Sequence, residues 1–271
     1  MRPAVRGIMV PAAVMLLAGT ARAQGAKPLK TCPADAVVSG TVCMDAYEAS
    51  VWRVPNPTTT NKSLVSKIQQ GKAMAPDLAK GGATQLGVGS TDDYAPCSDS
   101  GQNCTDDIYA VSLPGVLPSA NITWFQAQAA CENARKRLPS NAEWQAAVAG
   151  TPDPGPDNGT TDCNTNSVHQ AVTTGTRSSC KSARGAFDMV GNLNEWVADW
   201  VPPSTGCGSW SAGVSPTGDF QCLVGAATTG EPGVLLRGGY FGGGTGAGPL
   251  TVLGILAPSS SGGTVGFRCA R

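Results

Sequence analysis

The stretch Gly185-Ala-Phe-Asp-Met-Val-Gly-Asn-Leu-Asn-Glu-Trp196 places two carboxylates, Asp188 and Glu195, on either side of a glycine turn at Gly191. Side-chain and backbone carbonyl oxygens of such a loop can converge on a hard cation, and oxygen donors on a flexible loop suit calcium. The same residues also make a plain structural turn in which the carboxylates cap neighbouring N–H groups. Both readings stand on these residues alone.

Upstream of this stretch, two helices announce themselves by their first turns. Thr123 followed by Gln126 forms a capping box, and Trp124, Ala127, Cys131 and Ala134 recur at helical spacing as one apolar face. Ser140 with Glu143 repeats the device after Pro139; Trp144, Ala147 and Val148 supply the buried stripe, and Gly150 and Pro152 end it. Residues 31–50 read as two short strands joined by a Ser-Gly turn. Residues 55–118, rich in Pro, Thr, Gly, Ser and Lys, read as an irregular, insertion-like surface region. Beyond residue 150 the pattern is one of loops and short strands, within a chain holding 35 Gly and 20 Pro.

The chain opens on Arg2 and Arg6, a short apolar run and Ala21-Arg-Ala23 before Gln24. That order predicts a secretory signal peptide over residues 1–23, cleaved between Ala23 and Gln24, and a secreted or periplasmic protein. Residues 24–271 are then expected to form a single domain. No apolar stretch reaches the roughly 20 residues that a bilayer core requires, so no membrane span is expected. Loss of the leader removes three of the 19 basic residues and none of the 19 acidic ones, leaving a net charge of 16 − 19 = −3. Such a balance argues against nucleic acid as a partner.

All ten cysteines follow the cleavage point, and an even count in an exported chain predicts five disulfides. Loop-closure economy pairs Cys32 with Cys43, Cys97 with Cys104, Cys163 with Cys180 and Cys207 with Cys222, leaving Cys131 for Cys269. Other connectivities remain open on this ground.

Four segments in order resemble the formylglycine-generating, or sulfatase-modifying-factor, family. They are Cys43-Met-Asp-Ala-Tyr-Glu48, the region around Arg137-Leu-Pro-Ser-Asn-Ala-Glu-Trp144, the 185–196 stretch, and Leu236-Arg-Gly-Gly-Tyr240 with Gly266-Phe-Arg-Cys269. The resemblance implies an α+β, C-type-lectin-like fold with few regular elements and long loops, and it joins the helix cysteine to the one near the C-terminus. It also implies a structural calcium held by the side chains of Asp188 and Glu195 and the carbonyls of Gly191 and Leu193.

Active members of that family convert a sulfatase cysteine to formylglycine with copper bound by two cysteines after the Arg-Gly-Gly strand. Soft thiolates suit Cu(I). Here residues 240–256 contain no cysteine and no basic residue, and Asn194 stands where the family usually has Trp. Copper is therefore not expected. Another branch of the fold family uses histidine-bound iron; this chain has one histidine, His169, in a polar loop. No nucleophile elbow, P-loop or zinc cysteine pattern occurs.

Three functions follow, in order of preference: a non-catalytic, calcium-stabilised binding or scaffold module for a protein or glycan ligand; a copper-dependent formylglycine-generating oxidoreductase; and a hypervariable ligand-display protein of the same fold. Trp52, Trp210 and Tyr240 are candidate stacking surfaces for such a ligand, or core plugs. Five aspartates in residues 91–107 make either a solvated acidic loop or a second cation site.

Overall fold

In the computed structural model, which describes residues 27–89, 93–104, 107–153 and 155–271, the chain opens on an antiparallel hairpin of β1 (Ala36–Ser39) and β2 (Val42–Asp45). Its turn falls at Gly40, whose φ of +62° suits a residue without Cβ. The expected leader, residues 1–23, lies outside the described residues.

Next come β3 (Ala49–Arg53), α1 (Lys62–Gln69), α2 (Ala75–Lys80), β4 (Thr84–Leu86) and β5 (Ile108–Ser112). Strand β3 runs between β4 and β5 in a three-stranded antiparallel sheet. The irregular reading of residues 55–118 is corrected here, because four regular elements fall inside that span. Leu64, Ile68 and Leu78 are buried from α1 and α2 and pack with Tyr109, Val111 and Leu113 of the β5 region. Packing against this sheet orders two short helices that polar composition hid.

Helices α3 (Trp124–Asn133) and α4 (Asn141–Val148) begin at the expected caps. Thr123 Oγ1 accepts from Gln126 N at 3.2 Å and Gln126 Oε1 accepts from Thr123 N at 3.0 Å. Ser140 and Glu143 exchange the equivalent pair at 3.2 and 2.8 Å. Each cap satisfies N–H groups that a helix start would leave without partners.

The remaining strands are β6 (Asn194–Val201), β7 (Ser204–Ser209), β8 (Phe220–Ala226), β9 (Gly233–Arg237), β10 (Val252–Leu256) and β11 (Val265–Phe267). They form a mixed sheet in the order β11-β6-β9-β10-β8-β7, parallel at β11–β6 and β10–β8 and antiparallel elsewhere. One core lies between the two larger sheets and α3, filled by Val51, Ile108, Ala130, Trp196, Leu236 and Phe267. A second lies under α4, where Trp144 meets Met44, Met189 and Val197.

Five disulfides join Cys32–Cys43, Cys97–Cys104, Cys131–Cys269, Cys163–Cys180 and Cys207–Cys222. The third ties α3 to the residues following β11, and its sequence separation of 138 makes it the long-range staple of the fold.

Candidate functional site

The 185–196 stretch folds as a turn that delivers Glu195 into β6. Asp188, Gly191 and Asn192 all take left-handed backbone conformations, with φ of +56°, +72° and +57°. A Cβ on Gly191 would lie 2.3 Å from the carbonyl oxygen of Asn164, so no larger side chain fits beside that backbone. Asn192 pays for its strained φ with hydrogen bonds: its amide nitrogen donates to Asn164 O at 2.8 Å, and its Oδ1 accepts from Val172 N at 2.8 Å.

At the centre stands Arg268, fully buried. Its Nη2 and Nε reach Glu195 Oε1 and Oε2 at 2.5 and 2.7 Å, and Nη1 and Nη2 donate to the carbonyls of Asp45 and Phe187 at 3.1 and 2.9 Å. Glu195 Oε2 also accepts from Trp144 Nε1 at 2.7 Å. This two-pronged pair is the strong form of an Arg–carboxylate contact.

Two further carboxylates face the same guanidinium. Asp188 Oδ2 accepts from Gly175 N at 2.7 Å. Glu48, supplied from the turn before β3, accepts from Leu193 N at 3.0 Å and from the Asn192 side-chain amide. Burial, then the charges of Asp188 and Glu195, push Glu48 well above the usual carboxylate range against the pull of Arg268. Burial raises Asp188 to about 7, opposed by the Gly175 N–H and Arg268. Both groups are closed to solvent, at 1 % and 2 % exposure, so the cluster has no face open to a substrate.

Of the expected calcium donors, the carboxylates of Asp188 and Glu195 are brought to one place, but one oxygen of Asp188 and both of Glu195 are already engaged. Both oxygens of Glu195 accept from Arg268, and one also accepts the indole N–H. A dication there would stand against a buried guanidinium. These residues do not fit the implied four-donor calcium site: the alternative of a capped structural turn describes Asp188, and an internal ion pair describes Glu195. Among the described residues no group of three or more His, Cys, Asp or Glu is arranged to hold a metal ion.

Neighbouring motif residues complete the polar centre. Arg237 lies with its guanidinium carbon 4.6 Å from the Trp144 ring centroid, and burial lowers its pKa to about 10 despite the nearby charges of Asp219 and Glu195. Lys136 bridges Asp35 and Asp45 at 2.6 and 2.7 Å with no exposed side-chain surface of its own. Glu48 and Arg268 both lay in segments singled out from sequence. Their mutual role was not legible, because the two lie 268 − 48 = 220 positions apart.

Of the proposed cation loop at 91–107, Asp92 and Asp106 lie outside the described residues. Asp93 accepts from Gly87 N at 2.8 Å, and Asp107 faces Arg53 Nε at 3.7 Å. His169 is exposed and Asn194 is buried. Among the three aromatic candidates only Trp210 is exposed, while Trp52 and Tyr240 are half-buried.

Sequence reading missed Trp200. It lies four positions after the buried Trp196 on β6, where strict alternation would bury it too. The β6–β9 register shifts between those two residues, and Trp200, opposite Val234, is 44 % exposed. It packs edge-on against Trp124 and Phe125, at centroid distances of 5.2 and 5.8 Å. With Pro202, Pro203, Glu231 and Pro232 it lines an open cleft of about 400 Å³.

The family model of the sulfatase-modifying factor enzyme 1-like domain matches residues 6–271. The serine/threonine-protein kinase Pkn1 of Chlamydia trachomatis serovar L2 is 34 % identical over 89 residues, which are 31 % of this chain and only 14 % of that kinase. Among solved structures, the Major Tropism Determinant P3c variant is 16 % identical with a TM-score of 0.47, covering 89 % of this chain and 55 % of its own. PvdO from Pseudomonas aeruginosa is 18 % identical with a TM-score of 0.40, covering 87 % and 82 %.

Proposed function

Since the chain belongs to the family of sulfatase-modifying factor enzyme 1-like domains, we propose that it uses the C-type-lectin-like α+β fold as a non-catalytic binding or scaffold module for a protein or glycan ligand. One observation carries this reading: all ten cysteines are joined in disulfides, leaving no free thiol. The copper chemistry implied by the resemblance needs two thiolates at the strand after Arg237, and residues 240–256 offer glycines and apolar side chains instead.

The remaining features support the same reading. Buried ion pairs and bridges hold the interior, while loops are left free to vary at the surface. The cleft beside Trp200 is the surface best suited to a ligand. Its indole and prolines provide flat apolar contact, and Glu231 adds one charge at the rim. Calcium forms no part of this reading, because Arg268 occupies the carboxylate that would bind it.

Export is proposed from the leader sequence. Five disulfides support it, and among the described residues no helix is long and apolar enough to cross a membrane. Thiol titration of the exported protein in denaturant, without reductant, tests the carrying observation. No titratable thiol is expected, and two or more per chain would restore the copper reading.

A further inference from the structure

Apart from the polar centre around Arg268, a second group of buried charges converges on Lys136. Its Nζ stands 2.6 Å from Asp35 Oδ2 and 2.7 Å from Asp45 Oδ1, and the side chain has no exposed surface. Asp45 Oδ2 in turn accepts from Cys269 N at 3.1 Å. Asp35 Oδ2 faces Arg271 at 3.3 Å, while its Oδ1 is buried without a hydrogen-bond partner.

The backbone fixes all three groups. Asp45 lies on β2 opposite Ala36, so the β1–β2 hairpin sets the two carboxylates side by side, and Ala46 N donates to Asp35 O at 2.9 Å. Lys136 follows α3, next to Arg137, which exchanges backbone hydrogen bonds with Ala270 at 2.9 and 2.8 Å. Gly71 closes the site: its backbone lies against the Asp35 carboxylate and leaves no room for a Cβ. An amine, a carboxyl and a second carboxylate are thus held in contact with water kept out.

We propose that Lys136 and Asp45 condense into an intramolecular amide, with Asp35 as general base and the Cys269 N–H as oxyanion donor. Asp35 Oδ2 takes a proton from the ammonium, and the freed amine attacks Cγ of Asp45. Negative charge in the tetrahedral intermediate falls on Oδ2, where Cys269 N already donates. The Cγ–Oδ1 bond then breaks, Oδ1 leaves as water with two of the three ammonium protons, and Asp35 returns to its starting state. No oxidant or other reactant enters. Holding amine and carboxyl oxygen 2.7 Å apart removes the entropic cost of bringing the reactants together. The condensation also erases two charges that burial penalises. Burial, joined by the charge of Asp35, raises Asp45 towards its neutral, electrophilic form against the pull of Lys136. Asp35 keeps Arg271 as its counter-charge, so no ion is stranded.

Mass spectrometry of the exported chain, fully reduced and alkylated, tests the proposal. The parent should be lighter than its sequence by one water. Trypsin should yield the dipeptide Lys136-Arg137 joined to the peptide of residues 31–53, which carries Asp45. Lys136→Arg keeps the cation but cannot form this amide, and should regain the full mass. Asp35→Asn leaves amine and carboxyl in place while removing the base, and should regain it too. Near-UV circular dichroism matching the parent shows that both variants fold, and the parent's own mass and digest need no variant. A parent of full sequence mass, in which Lys136 and Asp45 form a plain ion pair, overturns the proposal, and so does a loss of water that persists in either variant.

Discussion

Replacing Arg268 by Gln is the most informative single change to the interior. The side chain is fully buried, and it makes two charged bonds to Glu195 and donates to the carbonyls of Asp45 and Phe187. Glutamine can keep one donor but not the charge. Glu195 would remain with the Trp144 N–H alone, next to Asp188 and the already unfavourably placed Glu48. Removing one partner of a buried ion pair costs about 3–5 kcal/mol, because the other charge stays desolvated. For a chain of this size each kcal/mol lowers the melting temperature by roughly 2–4 °C, so a fall of about 6–20 °C is expected. The deficit should shrink on acidification, as protonation neutralises the stranded carboxylate. Denaturant and thermal unfolding at neutral and mildly acidic pH measure both effects. A second arm addresses the metal: parent protein in calcium and in chelator should melt at the same temperature. A loss below about 1 kcal/mol in the variant, together with a calcium-dependent rise in the parent, would refute the reasoning and return the loop to calcium.

Acidity should tune the unmodified protein as well. Asp188 is raised in the folded state from 3.8 to about 7, and Glu48 moves in the same direction. Groups raised on folding contribute stability that is complete below the unfolded pKa and is lost as pH climbs through the folded one. Unfolding free energy from these groups should therefore decline between about pH 4 and pH 7, and Asp188→Asn should flatten that slope in a denaturation series across pH. The bridge between Cys131 and Cys269 closes a loop of 269 − 131 + 1 = 139 residues. Replacing both cysteines by Ala should cost about 4–5 kcal/mol by the chain-entropy account, read as a reduced denaturant midpoint.

How much of this was legible in the sequence depends on how local each signal is. The starts of α3 and α4 were legible because a capping box is complete within four residues, and the structure closes both boxes. The five cysteine pairs could be ordered by loop economy, since four of them span short loops. Residues 55–118 were not legible: α1 and α2 carry only two and one buried residues, and their order derives from β5, which lies outside their own pattern. The exposure of Trp200, on a strand whose register shifts against β9, is encoded by no periodicity. The interior centre was half legible. Asp188 and Glu195 announced a loop of converging oxygens, but the cation that meets them belongs to Arg268, 73 positions beyond Glu195. Sequence proximity could suggest the donors and not their partner.

Whether this member of the family recognises rather than oxidises is tested most directly by the formation of formylglycine. The exported protein, treated with copper and incubated under air with a cysteine-containing sulfatase peptide, would be assayed by mass spectrometry for the aldehyde. With every cysteine bridged and none in residues 240–256, no aldehyde above that of a cysteine-free control domain is expected. Repeated turnover of the peptide to formylglycine would contradict the account.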